Sequence, residues 1–121
     1  MKPRILVVDD DEAVRIGLRG VLLSEGYDVS TACNGREAIE RFKDLKIALI
    51  LVDINMPALN GWGTIGQLRT LSPRTPIIMI TARPDQKTIA RTAGVELMEK
   101  PLDLPYLVSR IGTLLEESIA S

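Results

Sequence analysis

Five polar residues stand at the ends of apolar runs, and their types suit charge chemistry on an anion. Ile5-Leu6-Val7-Val8 is followed by Asp9-Asp10-Asp11-Glu12, Ala48-Leu49-Ile50-Leu51-Val52 by Asp53, and Ile77-Ile78-Met79-Ile80 by Thr81. A weaker run, Glu96-Leu97-Met98-Glu99, leads to Lys100. If Asp9, Asp10 and Asp53 converge, they repel one another, so protons or a cation must compensate. An all-oxygen donor set selects a hard cation. Mg2+ fits best, because it takes one or two carboxylates and keeps waters or phosphate oxygens for the rest. Ca2+ fits less well, since no dedicated ligand loop is present.

Each of these residues also has a plainer reading. Asp11 and Glu12 read best as a solvated helix start, where acids favour the positive end of the helix dipole. Thr81 serves equally well as a helix cap. Lys100 alone could be a structural salt bridge to Asp10 or Asp53. For Asp9 and Asp10, the apolar strand before them favours function.

The elements around these residues decide whether they meet. The three strongest runs are short, aliphatic and closed by polar or turn residues, as strands buried on both faces should be. Asp28-Val29-Ser30-Thr31-Ala32 is a weaker candidate of the same kind. Helical spacing lies between the runs. Val14, Leu18, Val21 and Leu22 share one face of a helix ending near Gly26. Ala38, Ile39 and Phe42 mark a second helix after the Asn34-Gly35 turn. Ile65, Leu68 and Leu71 mark a third, ending before Pro73, and Ile89, Ala90 and Ala93 a short fourth, ending at Gly94. Leu104, Leu107, Val108, Ile111, Leu114 and Leu115 make the clearest helix, with Asp103 as N-cap and Pro105 in its first turn.

Five β-α units in succession predict an α/β fold: an open parallel sheet with helices on both faces. In such sheets ligands sit beyond the carboxyl ends of the strands, where the acids, Thr81 and Lys100 all fall. Were the first and third strands neighbours, their axes would lie roughly 4.8 Å apart and the acids would have to converge. Lys100 would then stand two strands from Asp53, roughly 10 Å, a gap that a lysine arm largely covers.

The composition narrows the remaining functions. The 121 residues suit one domain, 1–121, whose core needs no disulfide or metal. A formal net charge of -1 gives no general attraction to nucleic acid or anionic membrane, so neither is expected as a direct partner. Aromatic content of 3% argues against a stacking platform for single strands. The absence of histidine removes His-based zinc sites, Ser-His and Cys-His catalysis, and an internal phosphohistidine relay. The lone Cys33 fits a reducing, cytoplasmic setting and reads as a small buried hydrophobe. No secretory signal or membrane span is expected.

Val8-Asp9-Asp10, Asp53 with Met56-Pro57 and Gly61, Thr81-Ala82 and Lys100-Pro101 together resemble the receiver domain of bacterial two-component response regulators. Thr31-Ala32, Asn34-Gly35 and Glu37-Ala38 match as well, and the resemblance spans essentially the whole chain. It implies a flavodoxin-like, doubly wound sheet of five parallel strands in the order 2-1-3-4-5, with five helices. It implies that Asp53 becomes an aspartyl phosphate. Asp10, Asp53 and the Asn55 carbonyl would hold Mg2+, with Asp9 acting largely through water. Lys100 would neutralise phosphoryl charge, Thr81 would hydrogen-bond the phosphate, and Lys100-Pro101 would be a cis peptide. The implied partners are a sensor histidine kinase as phosphodonor and a downstream protein, with a homodimer formed on phosphorylation. With no histidine of its own, the chain needs an outside donor, a kinase phosphohistidine or a small phosphodonor.

Two features depart from that family's pattern. Leu97 stands where an aromatic switch residue is usual, three residues before the lysine. The stretch from Thr81 to Lys100 is about three residues short, nearly one helical turn. Two other functions compete. An Asp-nucleophile phosphohydrolase would want a second acid two residues after Asp53, and position 55 is Asn. A non-phosphorylated interaction module would have lost the acids or the lysine, and both are present.

Overall fold

The computed structural model describes residues 2–53, 61–82 and 94–120. Five strands form: β1 Arg4–Val8, β2 Asp28–Ala32, β3 Leu49–Asp53, β4 Ile77–Thr81 and β5 Glu96–Glu99. They make one parallel sheet in the order β2-β1-β3-β4-β5. Helices α1 Glu12–Ser24, α2 Gly35–Asp44, α3 Gly61–Leu71 and α4 Leu104–Ala120 complete the described residues. The expectation of five helices is thus met by four here. The short helix expected around Ile89, Ala90 and Ala93 lies outside the described residues, as do Asn55 and the Met56-Pro57 turn.

Alternation along the strands builds two cores, one on each face of the sheet. Leu6, Val8, Ile50, Val52, Ile77 and Met79 pack with Ala38 of α2 and with Ile65 and Leu68 of α3. Ile5, Val7, Leu49, Leu51, Ile78 and Ile80 pack with Leu18 and Leu22 of α1 and with Leu107, Ile111 and Leu115 of α4. Every residue of β3 and β4 is buried, which is why their sequences run apolar instead of alternating. The edge strand β2 is only half-buried, and its sequence is correspondingly mixed.

The helix ends follow local chemistry. The Asp11 carboxylate accepts from the backbone N–H groups of Ala13 and Val14, and Asn34 Oδ1 accepts from that of Glu37. Asp103 caps α4 by accepting from Tyr106 N. At the end of α1, Gly26 takes φ 90°, and Tyr27 N reaches back to the Leu22 carbonyl. Only glycine adopts that left-handed cap without strain. The third helix ends at Leu71, before Pro73, as its spacing predicted. One expectation needs correction. Cys33 is only half-buried, sitting in the turn before α2 with its thiol directed to Glu37.

Candidate functional site

The strand register brings the expected residues to one rim. Val8 lies beside Val52 and Asp53 beside Ile80, so Asp9 continues β1 next to Asp53, and Thr81 extends one step beyond it. Thr81 in turn pairs with Glu99, which sets Lys100 just past the end of β5. Asp9, Asp10 and Asp53 each present a carboxylate oxygen within 4.8 Å of the others. Asp9 is 2% exposed and Asp53 5%, whereas Asp10 is exposed. The set can therefore grip an ion from below and leave it open to solvent above.

Lys100 crosses the gap. Its Nζ donates to Asp53 Oδ2 at 2.9 Å, so Asp53, not Asp10, is the carboxylate it meets. Burial works against the Lys100 ammonium. The hydrogen bond and charge of Asp53, with the charges of Asp9 and Asp10, outweigh it and hold its pKa above the usual lysine value. Its backbone N–H donates to the Thr81 carbonyl at 2.8 Å, and Thr81 itself is fully buried. Lys100-Pro101 is a cis peptide, as the resemblance implied.

Burial also governs Asp9, raising its pKa to about 6. The backbone N–H of Asp11 lowers it, while the charge of Asp53 and a hydrogen bond with that residue push it up again.

One neighbour was not legible in the sequence. Arg15, on the first turns of α1, donates from Nη1 to the Asp9 carbonyl at 2.7 Å. Its only signal was its place one turn after the acids, shared by any solvated helix arginine. Leu97, at the unusual position, is half-buried against the core face that α2 and α3 cover.

Residues 5–112 match the family described as the response regulator receiver domain. The chain is 37% identical over 116 residues to the transcriptional regulatory protein PrrA of Mycobacterium leprae, covering 93% of this chain and 50% of that protein. It is 38% identical over 120 residues to a CpxR homolog of Haemophilus influenzae, covering 95% and 51%. It spans about half the length of such relatives. Among solved structures, a CheY-like receiver from Methanospirillum hungatei superposes with a TM-score of 0.93 at 28% identity, covering 99% of this chain and 98% of that one. The response regulator TrrA of Thermotoga maritima, solved in complex with Mg(2+)-BeF, superposes with a TM-score of 0.85 at 34% identity, covering 94% and 99%. The chain belongs to the response regulator receiver domain family. It is a two-component signalling protein.

Proposed function

We propose that Asp53 accepts a phosphoryl group from a sensor histidine kinase or a small phosphodonor, and that the change switches protein contacts. The observation that carries this is the cluster itself: three carboxylate oxygens within 4.8 Å, with the Lys100 ammonium 2.9 Å from Asp53. A lone buried carboxylate would be a poor nucleophile for an anionic phosphate, because like charges repel. Cations on both sides of it remove that barrier.

An Asp53 oxygen attacks phosphorus, and the bond from phosphorus to the donor's histidine nitrogen breaks. The electron pair stays on the imidazole, which takes a proton from solvent. With acetyl phosphate the broken bond is P–O and acetate leaves. Lys100 moves from a carboxylate oxygen towards the new phosphoryl oxygens, and the Thr81 hydroxyl donates to one of them. The three described carboxylates suit Mg2+: Asp10 and Asp53 would be direct ligands and Asp9 would act through water, and the family resemblance would add the carbonyl of Asn55, which lies outside the described residues. Bound there, Mg2+ supplies positive charge against the transferring oxygens. The complex of TrrA with Mg(2+)-BeF, at 34% identity, supports that choice of ion. The same groups later return the phosphoryl group to water.

Output passes through protein contact to a downstream effector, in a cytoplasmic setting, and a homodimer formed on phosphorylation is one such contact. Relatives described as transcriptional regulators favour an effector that acts on transcription. No helix among the described residues is long and apolar enough to cross a membrane. Intact-protein mass spectrometry after acetyl phosphate and Mg2+ tests the reading. One added phosphoryl group should map to Asp53 and vanish in Asp53→Asn. Labelling that persists in the variant, or in excess chelator, would move the acceptor or remove the metal.

A further inference from the structure

We infer that Arg15 is a positioning residue for the metal site, acting by clamping the peptide that joins Asp9 to Asp10. The inference rests on the reading of the acidic cluster as a Mg2+ site.

The backbone around Asp9 is held at three points. Its N–H donates to the Ala32 carbonyl at 3.1 Å, tying it to the end of β2. Its carboxylate accepts from Asp11 N at 2.9 Å, which closes the turn into α1. Its carbonyl accepts from Arg15 Nη1 at 2.7 Å. The first two contacts fix Asp9 itself. The third fixes the plane of the Asp9-Asp10 peptide, and that plane sets where the exposed Asp10 side chain departs.

The choice of partner is informative. Arg15 is half-buried one turn from the acids, yet among the described residues it forms no ion pair, and its guanidinium goes to a carbonyl. A charged donor to a carbonyl is shorter and stronger than a neutral one, consistent with 2.7 Å. Without this bond, repulsion from Asp9 and Asp53 would drive the Asp10 loop outward before any cation arrived. With it, the carboxylates stay gathered, and the cost of gathering them is met in folding instead of in binding.

The clamp and the charge of Arg15 act on metal affinity with opposite signs. Deleting a nearby cation should tighten Mg2+ binding by simple electrostatics, whereas deleting a clamp should weaken it. Titration calorimetry with Mg2+ alone reads the balance, and thermal unfolding of each variant checks that it is folded. Arg15→Ala is expected to bind Mg2+ about tenfold more weakly despite losing a positive charge. Arg15→Lys, which keeps a donor of nearly the same reach, is expected to bind more tightly than Arg15→Ala. Arg15→Ala binding as well as the parent protein, or better, overturns the clamp. Should the parent protein bind no Mg2+, the reading of the site falls and the clamp with it. Should the parent protein bind Mg2+ and take label on Asp53, only the clamp is at stake.

Discussion

Burial sets the Asp9 carboxyl against its own charge. Its carboxyl titrates near 6 in the folded chain against 3.8 in an unfolded one. A carboxyl whose folded pKa is raised contributes stability that is complete below 3.8 and is lost as pH rises through about 6. The difference amounts to about 3 kcal/mol. In metal-free protein, Asp9→Asn is therefore expected to be the more stable form at pH 7.5, with the gap closing towards pH 4. Chemical denaturation of both proteins across that range measures it. A constant gap, or a variant less stable at pH 7.5, would show that burial of Asp9 imposes no such penalty. The residue scale is also where the sequence was least complete. Asp9, Asp10, Asp53 and Lys100 were legible because a buried strand rarely ends in a charge without reason. Arg15 was not, because a side chain reaching a carbonyl six residues back leaves no pattern in composition or spacing.

Among the elements, the edge pairing of β5 with α4 is held by more than apolar contact. Arg110 Nε and Nη2 donate to the two carboxylate oxygens of Glu96 at 2.7 and 2.6 Å, a two-pronged bond between helix and strand. Both side chains are about 28% exposed, so screening reduces the pair's value below that of a buried one. A double-mutant cycle with Arg110→Ala and Glu96→Ala is expected to give a coupling of about 1 kcal/mol. Additive losses in that cycle would reduce the pair to a surface coincidence. This pairing helps a four-residue strand whose last residue is exposed to hold at the sheet edge. Edge position explains why β5 and β2 were the weak strands in the sequence. Their stability comes from one neighbour and a covering helix, not from a continuous apolar run. The strands β3 and β4, buried throughout, were legible at once.

For the whole molecule, metal, proton and fold are linked. Mg2+ that binds only the folded chain stabilises it by about 2.7 kcal/mol at a free concentration 100 times the dissociation constant. For a domain of this size that is an increase of about 10 °C in Tm. Protons compete for Asp9, so the increase should be full near pH 7.5 and shrink below about 6. Differential scanning calorimetry with and without Mg2+ at pH 5 and 7.5 tests this. An equal shift at both values would put the ion elsewhere on the surface. The overall architecture was legible in the order of the apolar runs, because five strands alternating with helices leave few ways to cover both faces of a sheet. The strand order came only from the family resemblance.

Burial of β3 and β4 on both faces leaves the centre of the sheet no slack, so it serves as an anvil. A blow struck on Asp53 cannot sink into the core below. Along the rim, the Lys100 N–H donates to the Thr81 carbonyl and ties those two residues together. Information in this protein would then run across the strand tips, like a ripple along the lip of a bowl.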